Sequence, residues 1–179
     1  MPNIDFLRAF LTNWKEVGWP LQTSRIAARK VCDAIDFEKA GRVIEIGAGT
    51  GNVTRELLKY LRPDAQLVVF EINTDLCRHL WTIDDARLVV YNASGFEIAE
   101  LVTGKADYVI SEVPIAILSD ASLKRFYGGV KEVLRESGCC IQLQLSPLSF
   151  HKLKRMFRTV NVAVALMNSL PLFIYRCRG

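Results

Sequence analysis

The segment Val43-Ile44-Glu45-Ile46-Gly47-Ala48-Gly49-Thr50-Gly51-Asn52 constrains the fold of this chain more than any other. Its first four residues read as a short buried strand. Gly47, Gly49 and Gly51, at alternate positions, let the backbone turn sharply and let a ligand lie against it with no Cβ in the way. Val53-Thr54-Arg55-Glu56-Leu57-Leu58 then opens a helix. The resulting E-x-G-x-G-x-G pattern differs from the G-x-G-x-x-G fingerprint of dinucleotide sites. A pyrophosphate is held by free N–H groups at a helix N-terminus. A carboxylate beside the turn, Glu45, instead favours a ligand that brings an ammonium group. The plainer reading is a βα turn with no ligand.

Three further strand ends bear on that choice. Gln66-Leu67-Val68-Val69-Phe70 is a second buried-strand run, closed by Glu71, 20 residues after Gly51. A βαβ unit delivers an acidic residue to ribose hydroxyls at about this distance. Taken alone, Glu71 also suits a solvated strand end. A third run, Ala86 to Tyr91, ends in Asn92-Ala93-Ser94, where the Asn amide can accept from an adenine amino group. The fourth, Asp107-Tyr108-Val109-Ile110, runs into Ser111-Glu112-Val113-Pro114. In this order the four ends would line one crevice at the carboxyl edge of a parallel sheet.

This succession of motifs resembles a class I S-adenosylmethionine (SAM)-dependent methyltransferase over nearly the whole chain. A narrower likeness lies at the two ends. Phe6-Leu7-Arg8-Ala9-Phe10-Leu11 with Val17-Gly18-Trp19-Pro20-Leu21-Gln22-Thr23-Ser24-Arg25 resembles the entry segment of bacterial phospholipid N-methyltransferases. Asn168-Ser169-Leu170-Pro171-Leu172-Phe173-Ile174-Tyr175-Arg176 resembles their closing segment. Those enzymes are relatives of the ribosomal RNA adenine dimethylases. SAM carries an ammonium group and no phosphate, as the Glu45 turn asks. The resemblance implies a Rossmann-like α/β domain over residues 1–179. Its mostly parallel seven-stranded sheet would carry helices on both faces and an antiparallel C-terminal pair. Residues 1–36 would form a helical lid or a membrane-contacting segment.

Composition fits such a domain. A chain of 179 residues, half of them hydrophobic, can bury a substantial core. No apolar run approaches the roughly 18 residues that span a bilayer. No charged, apolar, small-residue order marks a signal peptide. Cys32, Cys77, Cys139, Cys140 and Cys177 include no C-x-x-C pair and read as reduced, mostly buried thiols. His79 and His151 are isolated, so no metal site is expected. These features point to a cytoplasmic protein, at most peripheral on the inner membrane face.

Charge divides the chain. Residues 124–179 hold ten Lys or Arg against two Glu, a balance of +8, which leaves −4 for residues 1–123 of a chain whose formal charge is +4. Phe150 to Arg158 reads as a helix with Leu153, Met156 and Phe157 on one face and Lys152, Lys154, Arg155 and Arg158 on the other. That is either a solvated surface or one facing lipid head groups or nucleic acid. Near the other end, Phe6, Leu7, Phe10, Leu11 and Trp14 make one stripe on a helix over about 4–16. The stripe either packs on the domain or lies in a membrane interface, as in the lipid enzymes it resembles.

The remaining elements alternate. Helices are expected from Ser24 to Ile35, with Ser24 as cap, and over 52–61, 74–81, 95–102 and 120–136, the last stopped by Ser137-Gly138. Strands are expected over Cys139 to Leu145, Val160 to Leu166 and Leu172 to Cys177.

The resemblance also implies roles. Glu45, Gly47, Ala48, Gly49 and Gly51 would hold the methionine part of SAM. Glu71 and Ile72 would meet the ribose, and Asn92 and Ala93 the adenine. Many relatives carry Asp where Asn92 stands. Glu112 and Ser111 would serve the acceptor amine. Adenine-methylating relatives carry Asn or Asp, an apolar residue, Pro and a stacking aromatic; here these positions are Glu112, Val113, Pro114 and Ile115. Phospholipid enzymes show Ser, a small residue, Leu and Pro, closer to Ser111 to Pro114. A phosphatidylethanolamine-type amine is the leading acceptor, with peripheral anionic membrane contact. Nucleic-acid adenine methylation is second, and a SAM-binding protein without turnover is third.

Overall fold

The computed structural model describes residues 24–167 and 170–179. The helix expected over 4–16 with its Phe6 to Trp14 stripe, the turn at Gly18-Trp19-Pro20 and the link Asn168-Ser169 lie outside the described residues. Strands β1 (Arg42–Ile46), β2 (Gln66–Phe70), β3 (Leu88–Tyr91), β4 (Ala106–Ser111) and β5 (Leu134–Gln144) pair in parallel. β7 (Leu170–Arg178) lies antiparallel between β5 and β6 (Thr159–Met167). The order β3-β2-β1-β4-β5-β7-β6 is the expected doubly wound sheet with an antiparallel C-terminal pair. The chain starts at the centre, builds outward to β3 and returns to β4. The switch point therefore falls between β1 and β4, where such sheets open a ligand crevice.

Alternating apolar side chains build a core on each face of the sheet. On β2, Leu67 and Val69 join one face, Val68 and Phe70 the other. The first face is covered by α1 (Arg25–Cys32) and α2 (Asn52–Tyr60), with Leu80 from the end of α3 (Thr74–Leu80). The second is covered by α4 (Ile98–Leu101), α5 (Asp120–Val133) and α6 (Ser149–Met156). Each fully buried Leu, Ile or Phe contributes about 1.5–3 kcal/mol. Ser24 caps α1 as expected, its Oγ accepting the Ala27 N–H at 3.2 Å. The end of α2 has no glycine cap. Instead the Arg87 guanidinium donates to Leu58 O at 2.6 Å and to the Leu61 carbonyl, satisfying carbonyls the helix leaves open.

Two expected helices are corrected. The one over 95–102 divides into a 3₁₀ turn, Gly95–Glu97, which opens on a reciprocal capping box between Ser94 and Glu97, and α4. The one over 120–136 ends at Val133, and Leu134 already pairs with Ala106 of β4. Tyr108 pairs with Cys139, so residues 135–138 bulge out of the ladder. Gly138 serves this bulge rather than stopping a helix. A Cβ there would stand 2.9 Å from Arg135 O. Asp107 holds the bulge through Arg135 at 3.0 Å. All five cysteines are buried free thiols. No helix among the described residues is long and apolar enough to cross a membrane.

Candidate active site

Strand register sets the site. Tyr91, Phe70, Ile46, Ser111 and Gln142 stand level across β3, β2, β1, β4 and β5. The next residue on four of these strands is Asn92, Glu71, Gly47 or Glu112. The structure thus brings the predicted strand-end groups to one edge.

The glycine turn needs its glycines. Gly47, Gly49 and Gly51 have φ of 81°, 57° and 78°, left-handed values costly for any side chain with a Cβ. Gly47 N–H donates to Phe70 O at 2.7 Å, extending the β1–β2 ladder into the turn. A Cβ on Gly51 would stand 2.7 Å from Leu80 Cδ2. On Gly49 it would meet nothing within 4 Å among the described residues, so this turn presents bare backbone to the crevice. Ala48 is buried beneath it.

Glu45 is fully buried on β1. Its Oε2 accepts from Thr54 Oγ1 of α2 at 2.7 Å. Its Oε1 has no hydrogen-bond partner among the described residues. Burial, with the Glu112 and Glu71 carboxylates nearby, pushes Glu45 up to about 8. An orphaned buried carboxylate oxygen is costly, and a cationic donor removes that cost. Together with the open glycine turn it fits a ligand that brings an ammonium group, as SAM does.

Glu71, also buried, ties the turn to β2. Its Oε2 accepts the Gly49 N–H at 2.8 Å and its Oε1 the Asn73 N–H at 2.8 Å. Burial raises its pKa, and the N–H donors of Asn73 and Gly49 oppose the rise. Ile72 and Ala93 are half-buried beside it. Asn92 Nδ2 donates to Glu71 O at 3.0 Å and to Ile72 O at 3.2 Å, while its Oδ1 accepts from Thr74 at 2.9 Å. Asn92 therefore buttresses the β2–β3 rim, a role its position in sequence does not reveal.

The loop after β4 lies against the turn. Glu112 N–H donates to Ile46 O at 2.9 Å, and a Cβ on Gly47 would stand 3.8 Å from Glu112 Cβ. Glu112 is half-buried. Ser111 is fully buried, its hydroxyl accepting the Val113 N–H at 3.3 Å, so it shapes the loop from within. Ile115 is fully buried in the second-face core.

Sequence reasoning missed several residues here. Thr54 partners Glu45. Lys152, expected on a solvent face, donates to the carbonyls of Ile115, Ala116 and Leu118 at 3.1–3.3 Å. Gln142 and Gln144 reach the loop from β5. Their signal was two polar residues at period two inside the apolar run Cys139 to Leu145.

The model of the ribosomal RNA adenine dimethylase family matches residues 15–107, just over half of the chain. The ornithine lipid N-methyltransferase of Singulisphaera acidiphila is 26% identical over 97% of this chain and 94% of its own length. The ribosomal RNA small subunit methyltransferase A of Mycoplasmopsis synoviae is 27% identical over 78% of this chain, which spans only 55% of that relative. In fold, precorrin-6y C5,15-methyltransferase of Geobacter metallireducens matches with a TM-score of 0.68 at 16% identity over 86% of this chain and 88% of its own. Human methyltransferase-like protein 13, solved in complex with SAH, matches with a TM-score of 0.62 at 17% identity, over 86% and 79%. The chain belongs to the ribosomal RNA adenine dimethylase family and is a SAM-dependent methyltransferase.

Proposed function

We propose that the protein N-methylates the primary amine of a membrane lipid, phosphatidylethanolamine being the leading acceptor. The observation that carries this is the acceptor loop: it sets a carboxylate, Glu112, against Gly47 and buries Ile115 completely. Ile115 thus offers no face on which a nucleobase could stack. The lipid-methylating relative, aligned over nearly its whole length, supports the same reading. Adenine methylation is the second reading, favoured by the family's name. The family match ends at residue 107, before the acceptor loop, and so bears on the cofactor half alone.

In this reading Glu45, Gly47, Ala48, Gly49 and Gly51 hold the methionine part of SAM. Glu71 and Ile72 meet the ribose, and Asn92 and Ala93 edge the adenine. SAM supplies an electrophilic methyl group on a sulfonium. Glu112 attracts the acceptor ammonium and takes its proton, leaving a neutral amine in line for transfer. Ser111 keeps the loop in shape. Placing two reactants in contact supplies much of the acceleration.

The test offers labelled SAM with anionic vesicles containing phosphatidylethanolamine, vesicles containing ornithine lipid, or total RNA. Label in a lipid fraction is expected. Label in RNA alone overturns the reading. Glu112→Gln is expected to keep SAM affinity and lose transfer; equal loss of both would assign Glu112 to the cofactor or the fold.

A further inference from the structure

Gln142 and Gln144 sit two residues apart on β5, so both side chains leave the same face of the strand. Both are buried, at 0% and 7% exposure, where an amide is tolerated only if its hydrogen bonds are met. Gln142 Nε2 donates to Ser111 O at 2.9 Å and to Val113 O at 3.0 Å. Gln144 Nε2 donates to the same Val113 O at 2.8 Å. On the far side, Tyr127 OH donates to Gln142 Oε1 at 2.8 Å and Ser149 Oγ to Gln144 Oε1 at 3.4 Å. A tyrosine on α5 and a serine on α6 thus fix which way each amide points.

We propose that Gln142 and Gln144 form a clamp that turns the Val113 carbonyl inward and sets Glu112 against the acceptor, making both glutamines positioning residues for methyl transfer. The proposal rests on the reading of Glu112 as the acceptor-facing carboxylate. A carbonyl oxygen accepts two hydrogen bonds, and Val113 spends both on the glutamines. It has none to offer a substrate amine. Glu112 lies between Ser111 and Val113, whose carbonyls are both tied to β5, so the backbone on either side of it is pinned. Lys152 holds the turn that follows by the carbonyls of residues 115, 116 and 118. The loop is therefore braced from β5, α5 and α6, all beyond the segment that matches the family model. Acceptor geometry is thus braced from elements other than the glycine turn as well as by the Glu112 N–H bond to Ile46 O.

Gln142→Met and Gln144→Met keep length and apolar volume while removing the donors. Each is expected to lower kcat about tenfold to a hundredfold while the KM and calorimetric Kd for SAM stay within about twofold. Tyr127→Phe, which keeps the ring and removes only the donor to Gln142, is expected to give a smaller fall in kcat. Hydrogen exchange should quicken selectively in residues 111–118 of the Met variants, a readout that needs no acceptor. The clamp is overturned if exchange there is unchanged, if kcat stays within about twofold, or if SAM affinity falls in step with kcat. Wild-type protein that labels RNA and no lipid defeats the acceptor reading alone. The same variants, assayed on RNA and by exchange, then still decide the clamp.

Discussion

At the scale of single residues, Glu45 is a group beside the glycine turn whose ionisation is shifted by folding. Its carboxyl is held up at about 8 against an ordinary 4.5, because it is buried and faces the like charges of Glu112 and Glu71. The native state therefore binds that proton more tightly than the unfolded chain does. Stability from this source is complete below about 4.5 and is lost as pH rises towards about 8. A ligand ammonium beside Oε1 has the opposite effect, since it stabilises the ionised form. SAM affinity should then climb with pH below about 8, by at most about tenfold per pH unit, until the ligand's own α-ammonium begins to lose its proton at about pH 8. In Glu45→Gln both slopes should vanish, and affinity should be low throughout. Calorimetry showing a flat wild-type profile would remove Glu45 from the ammonium site. The glycines of this site could be read in sequence because only glycine suits three left-handed positions in five residues. Thr54, the partner of Glu45, could not. Nothing in a helix sequence announces that one hydroxyl faces a strand nine residues earlier.

Among the elements, the 3₁₀ turn Gly95–Glu97 packs against the end of β1. A Cβ on Gly95 would stand 2.2 Å from Ile46 Cγ2, at the end of β1 where the glycine turn begins. Gly95→Ala must push the turn outward or displace Ile46, and overpacking of this kind costs about 1–3 kcal/mol. Denaturant unfolding should show a lower midpoint with the slope unchanged, and SAM affinity should fall because Ala93 and Asn92 lead into the turn. A midpoint equal to wild type would mean the packing is looser than described. Strands β1, β2 and β4 could be read from their apolar runs, since each is buried on both faces. The end of α5 could not. Lys131, Glu132, Arg135 and Glu136 suit another helical turn by propensity, yet pairing of Leu134 with Ala106 draws the chain into β5. The Gln142 and Gln144 strand was found as a strand, but what its amides hold depends on a loop about 30 residues away in sequence.

For the whole molecule, the excess of cations after residue 124 reads differently once each is placed. Lys152 braces the loop after β4, Arg135 pairs with Asp107, and Lys131 lies 5.0 Å over the Phe157 ring. Arg155 approaches Asp120 at 3.6 Å. Lys154 and Arg158 are exposed at α6 and just beyond it, Lys154 resting over Phe150 at 5.3 Å. An enzyme whose acceptor sits in a bilayer gains from cations turned outward, each adding about 1 kcal/mol of attraction to an anionic surface. The double variant Lys154→Gln with Arg158→Gln should therefore weaken flotation with anionic vesicles by about thirtyfold at low salt. Raising salt towards 1 M, where the Debye length falls to about 3 Å, should erase the difference between variant and wild type. Lys152→Met should act the other way round. Its ammonium faces carbonyls of the chain, so vesicle binding should hold while turnover drops. Equal vesicle binding by the double variant and wild type at low salt would show that this face does not meet lipid. The positive balance would then serve contacts within the protein, as Lys152 and Arg135 already do.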